Sequence, residues 1–198
     1  MSPSPPPEFY SRSVSDRYEF GTLAVLICNA TIWTGSTGGN EVLAGDILLD
    51  HGLIQLMGTQ LDVPNDTLLV DAQGAWVMPG IVDVHSHHGV MSSPLLSGAD
   101  NANSPKGITE PWLQSLDGLN THDDAYNLSV TGGVTTSLVL PGSGNAIGGQ
   151  AFTIKMRVTK EKSSSSMLVT PPYGLNGSAI DYSIPPLWRH MKHACGQR

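Results

Sequence analysis

The run Val77-Met78-Pro79-Gly80-Ile81-Val82-Asp83-Val84-His85-Ser86-His87 constrains this chain more than any other. Pro79-Gly80 breaks the backbone and opens a strand cleanly. Ile81 to His87 then reads as a short buried strand ending in two histidines one residue apart. Strand side chains alternate between faces. His85 and His87 are therefore predicted to share a face and aim two imidazoles at one point. A neutral imidazole nitrogen ligates zinc at about 2.0–2.1 Å, so the pair is half a metal site. Asp83 has the same parity and is expected on the same face, one step deeper, supporting the ligands. Val82 and Val84 are expected to face the other way, under a covering layer. His88 breaks the parity and reads as a loop residue or as a group behind the ligands.

The surrounding segments carry further pattern. Ala30-Thr31-Ile32-Trp33-Thr34-Gly35 and Asp46 to Ile54 read as short strands with turns, and Val70-Asp71-Ala72-Gln73-Gly74 leads into the run above. Gly132-Gly133-Val134-Thr135-Thr136 opens a second apolar strand, and Leu140-Pro141-Gly142-Ser143-Gly144-Asn145-Ala146-Ile147-Gly148-Gly149 follows it. Together with the strand ending Asp83-Val84-His85-Ser86-His87, these segments resemble the amidohydrolase superfamily, in an imidazolonepropionase-like or amidohydrolase-related branch. The resemblance runs from Leu23 to the C-terminus. It implies an α/β fold, in which a small β-sandwich-type domain precedes the first strands of a (β/α)8 TIM-like barrel. It also implies a metal-dependent hydrolase of carbon–nitrogen bonds other than peptide bonds, acting on a small-molecule amide or cyclic amide. His85 and His87 are the implied ligands of a divalent metal, zinc by preference. Ser143 and Asn145 fall in the loop implied to turn over the substrate. Such enzymes take a bridging carbamylated lysine or glutamate, two further histidines and a catalytic aspartate from later strands.

A full barrel needs about 250 residues, and roughly 120 follow Pro79 here. No later constellation of two histidines and an aspartate is visible. The chain is thus expected to be the front part of such an enzyme, organised as residues 1–20 (disordered tail), 21–78 (β-sandwich-type domain) and 79–198 (incomplete barrel). The alternative is a non-catalytic derivative acting as a metal-binding or interaction module. An unclosed barrel has edge strands that favour self-association.

Net charge is −7, with ten basic residues scattered along 198 positions, which argues against a nucleic-acid partner. Cys28 and Cys195 have neither metal-motif nor disulfide-framework spacing, which suits a reducing compartment such as the cytoplasm. No apolar run reaches the length of a membrane span, and the N-terminus lacks the order of a signal peptide.

The remaining segments give coarser expectations. Asp50-His51-Gly52 suits a hairpin with glycine in a left-handed position and His51 as a solvated tip. The irregular stretch from Ser92 to Asn120 would lie at the active-site end, pinned by Trp112. A helix starts with Thr121 as N-cap, turns Ala125, Leu128 and Val130 inward, and stops at Gly132-Gly133. Ala151 to Val158 is a strand with Phe152, Ile154 and Met156 on one face and Thr153, Lys155 and Arg157 on the other. Lys155 lines either the barrel interior or a solvated edge. Met167 to Thr170 reads as a strand. Leu187, Met191 and Ala194 form a stripe at helical spacing near the end, with His190 and His193 three apart on the same helix. The loop 142–149 lacks the Gly-Lys-Ser/Thr of a phosphate cradle. The serines 163–166 have no histidine and acid partner nearby in sequence.

Overall fold

The structure, a computed structural model, describes residues 7–15, 17–169 and 189–195. It is a mixed α/β fold that divides at Pro79/Gly80 into two compact units.

The first unit is built on one mixed sheet of strands β1 (Val25–Trp33), β2 (Val42–Asp50), β3 (Leu53–Gly58), β4 (Leu68–Asp71) and β5 (Trp76–Val77). Their order is β3-β2-β1-β4, with β5 also paired to β1. Among the described residues these five strands form one hydrogen-bonded sheet. β2 and β3 form the expected hairpin, with Asp50 opposite Leu53. Both turn residues are left-handed, His51 at φ 51° and Gly52 at φ 73°. That turn matches the right-handed twist of the two strands. Ser15 donates its amide to the His51 carbonyl at 2.9 Å, and the Tyr18 ring lies 5.1 Å from the imidazole. Ala30, Ile32 and Ile47 form the buried core of this unit. A short helix, α1 (Pro7–Ser11), precedes the sheet.

The second unit carries strands β6 (Ile81–Ser86), β7 (Val134–Val139), β8 (Ile147–Lys155) and β9 (Arg189–His193), in the order β6-β7-β8-β9. β6 and β7 run parallel, joined through α2 (Ala125–Thr131), while β8 and β9 each run antiparallel to their predecessor. The core gathers Val90, Tyr126, Val139, Ile154, Met156 and Met167.

Several expectations are corrected here. The C-terminal segment is a strand over Arg189–His193, not a helix, because its backbone completes a ladder with β8 from Phe152↔Arg189 to Ile147↔His193. Tertiary pairing overrides a weak helical stripe; Leu187 lies outside the described residues, as do residues 171–174. In place of a strand from Met167, residues Ser164–Met167 make a helical turn, α3, capped by the Ser163 hydroxyl, and only Leu168 bridges to β8. Helix α2 starts at Ala125, and its inward residue is Tyr126; Leu128 and Val130 are exposed. Thr121 gives its hydroxyl to the Lys162 carbonyl at 2.6 Å instead of capping. Trp112 is exposed. The stretch it was expected to pin is held by backbone and hydroxyl bonds, such as Glu110 N–H to Ile147 O at 2.8 Å and Ser115 Oγ to Val139 O at 2.9 Å. Val82 and Val84 are uncovered, at 58% and 71% exposure; Val82 pairs with Thr136 on the side away from core residue Ile154, and among the described residues no strand lies beyond β6 in its sheet.

Candidate functional site

The end of β6 departs from a straight ladder in a way that decides where its side chains go. Asp83 pairs with Ser137, but Ser86 pairs with Val139, so β6 takes three steps where β7 takes two. The extra residue is a bulge, a device that re-aims side chains. Ser86 is buried and opposes core residue Val139. His85 and His87, its neighbours, therefore project to the other side. Asp83, below the bulge, pairs with Ser137, which in turn opposes core residue Ile154. Asp83 and the histidines thus lie on different faces, and the expectation of a shared face is corrected, since one extra residue reverses the alternation. Asp83 still reaches His85, through its backbone: Oδ1 accepts the His85 N–H at 3.0 Å.

The two imidazoles stand together. Their ring centres are 5.5 Å apart and the planes are perpendicular, at 89°. A ring centre sits roughly 3.2 Å from a metal bonded to its nitrogen, so two rings at a tetrahedral angle have centres about 5 Å apart. The observed spacing fits that arrangement. His87 Nδ1 lies 3.0 Å from the Leu140 carbonyl oxygen. A carbonyl only accepts, so Nδ1 carries the proton and the Nε2 lone pair is left for a ligand. The reciprocal bond from Leu140 N–H to Ser86 O, at 2.9 Å, ties the same two strand ends together.

His88 is differently employed. Its Nδ1 bonds the Ser86 hydroxyl and its Nε2 the Ser129 hydroxyl of α2 at 2.8 Å. Both ring nitrogens are committed to structure. Among the described residues, no group of three or more His, Cys, Asp or Glu side chains gathers in metal-holding distance. Among the described residues the donor set is therefore two histidines.

Lys155 sits opposite Thr136, and so does Val82, which places all three on the side away from Ser137 and Ile154. Its Nζ donates to Thr136 Oγ1 at 2.7 Å. Of the two positions open to it in sequence, the half-buried one on the histidine face is adopted. Phe152, Ile154 and Met156 are buried, and the latter two pack with Tyr126 of α2.

The loop between β7 and β8 carries Ser143 and Asn145. Ser143 is exposed. Asn145 is buried and uses its amide inside the protein, donating to the Ser104 and Gly107 carbonyls at 2.9 and 2.6 Å and accepting from Ser104 N–H at 3.1 Å. It braces the neighbouring loop. A cavity of about 240 Å³ opens beside Pro141 and Gly148, with Asp100, Asn103 and Gln114 on its wall.

The buried Asp123 was legible in the sequence only as an acid near a helix start. Its carboxylate accepts three backbone amides, Gly89 at 3.0 Å, Ser93 at 2.9 Å and Ala125 at 3.0 Å. Tyr126 donates its hydroxyl to Asn120 O at 2.9 Å; burial, and secondarily the Asp123 charge, push its phenol well above the ordinary range. Neither partnership leaves a trace in local spacing.

No family model matches the chain. It is 39% identical over 207 residues to the amidohydrolase tasK of Hapsidospora irregularis, covering 94% of this chain and 20% of that protein. It is 29% identical over 119 residues to the dihydroorotase of Thermoanaerobacter sp. (strain X514), covering 60% of this chain and 21% of that one. The chain thus spans about a fifth of the length of these curated relatives. Among solved structures, an amidohydrolase from Thermotoga maritima MSB8 superposes with a TM-score of 0.63 at 32% identity, covering 76% of this chain and 38% of that one.

Proposed function

We propose, because this chain belongs to the amidohydrolase superfamily, that it supplies the first metal-holding strand of a metal-dependent hydrolase. The bonds hydrolysed are carbon–nitrogen bonds other than peptide bonds, in small-molecule amides or cyclic amides. In this reading β6, α2 and β7 are the opening βα unit of a TIM-like barrel, and residues 21–78 are the small β-domain before it. His85 and His87 hold a divalent metal, and the all-nitrogen donor pair suits zinc. One observation carries the reading: the two rings stand side by side, with His87 Nδ1 fastened to Leu140 O so that Nε2 is presented. A divalent metal bound there supplies Lewis acidity to a carbonyl and acidifies water.

The chain's own groups orient and support. Leu140 fixes the tautomer of His87, and Asp83 fixes the backbone of His85. Asn145 braces the loop that turns Ser143 outward toward substrate. Metal content tests the proposal. The parent should hold zinc or cobalt in a defined ratio, and the His85→Ala, His87→Ala form should lose it. His88→Ala should keep the parent's stoichiometry, because both nitrogens it removes are already engaged. Unchanged stoichiometry in the double variant would sink the assignment.

A second reading is favoured by the two-histidine donor set among the described residues. In it the 198-residue chain binds metal or a partner without turning over substrate. A panel of cyclic and N-acyl amides separates the two. Hydrolysis by the purified chain that disappears in the His85→Ala, His87→Ala form would exclude the second reading.

A further inference from the structure

We infer that Asp123 is the positioning residue for the His85–His87 pair. Its carboxylate is buried, at 3% exposure, and it is satisfied by backbone amides from two elements. Oδ2 accepts Gly89 N–H, two residues beyond His87, and Oδ1 accepts both Ser93 N–H and Ala125 N–H. The first two belong to the loop leaving the histidines and the third to the first residue of α2. One side chain thus nails that loop to the helix.

The loop between these bonds is closed on itself. Met91 N–H returns to His87 O at 2.9 Å, and Asn120 N–H meets Gly89 O at 2.9 Å. Ser92 Oγ donates to Gly89 O at 3.1 Å. Gly89 has φ 76°, and a Cβ there would strike the Tyr126 hydroxyl, so loop and helix are in direct contact at this point. A carboxylate suits the task because it has two acceptor oxygens and no donor, and charge-assisted bonds to amides are about twice as strong as neutral ones. Asparagine has one acceptor. It can keep the Ser93 and Ala125 bonds, but it then turns an NH2 group at Gly89 N–H. Asp123→Asn therefore releases the loop next to His87 while leaving the helix start capped. The expected result is a looser His87 ring and a weakened Nδ1–H bond to Leu140.

For its metal arm the inference rests on the reading of His85 and His87 as ligands; its tautomer arm does not. The test uses the 198-residue chain with ¹⁵N-labelled histidine. Long-range ¹H–¹⁵N spectra report which nitrogen of His87 is protonated. The parent should show the Nδ1–H form, and Asp123→Asn a mixture in which that form falls by about half or more. Cobalt(II) affinity should fall about tenfold or more, the range seen when groups behind metal ligands are removed. Leu128→Gly, on the exposed side of α2, loosens the same helix without touching the loop amides. It should lower the unfolding midpoint and leave both readouts unchanged. If Asp123→Asn does not fold, Asp123→Ser, which retains a helix cap, carries the same readouts. An unchanged His87 tautomer in the Asp123 variant, or an equal change in Leu128→Gly, overturns the inference. A parent that binds cobalt(II) no better than the His85→Ala, His87→Ala form overturns the metal reading, and the tautomer arm still decides Asp123.

Discussion

Tyr126 is the residue on which the core of the second unit turns. It is fully buried, with its ring beside Ile154 and Met156 and its hydroxyl on Asn120 O. Tyr126→Phe removes one hydrogen bond and strands a carbonyl, which should cost about 1–2 kcal/mol in denaturant unfolding. The pH dependence has a definite sign. Burial raises the folded phenol above its ordinary value, so the folded state holds this proton more tightly than the unfolded chain. Its contribution is complete below about pH 10, the unfolded value, and declines as pH rises beyond it. The parent should therefore lose stability above pH 10 more steeply than Tyr126→Phe, and parallel curves would refute the burial argument. At this scale the sequence was informative about His85 and His87 because adjacency along a strand is local. It was silent about the Leu140 carbonyl and the Asp123 amide contacts, which join positions far apart in the chain through backbone atoms that every residue carries.

Elements were legible where the chain punctuates itself. Asp50-His51-Gly52 gave the hairpin, since glycine marks a left-handed position, and Gly132-Gly133 gave the end of α2, where Gly133 has φ 88°. Gly52→Ala should destabilise the first unit by about 1 kcal/mol or more. It meets a left-handed φ, and its Cβ would come within 2.8 Å of Ser15 Cβ. A melting midpoint equal to the parent's would show that the turn relaxes freely. β9 was illegible because its partner strand, β8, is about forty residues earlier, and a ladder formed at that separation imposes extended geometry on residues with little preference of their own. The bulge in β6 was illegible for a related reason. Ser86 is displaced by its fit against Val139, not by any residue that announces a bulge.

The whole molecule is two units, and each ends in apolar strand margins. In the first, Ile54 of β3 and Leu68 and Leu69 of β4 are exposed on edge strands; in the second, Val82 and Val84 are exposed on β6. Edge strands with apolar side chains invite pairing with another chain. The 198-residue protein should self-associate with increasing concentration in sedimentation equilibrium. Leu69→Lys with Val84→Lys should shift it toward monomer. Monomeric behaviour of the parent across the micromolar range would exclude this. The bulge also has a consequence for how such a protein drifts or is redesigned. Losing a single letter between Asp83 and Ser86 would look trivial in an aligned text. In space it would only absorb the bulge, with Asp83 still opposite Ser137, Ser86 still opposite Val139 and the imidazoles on the side they already hold. Length and pairing are separately inherited at this point: a deletion leaves the imidazoles where they stand, whereas the same letters paired without the bulge would bring His85 opposite Val139 and turn it toward the core.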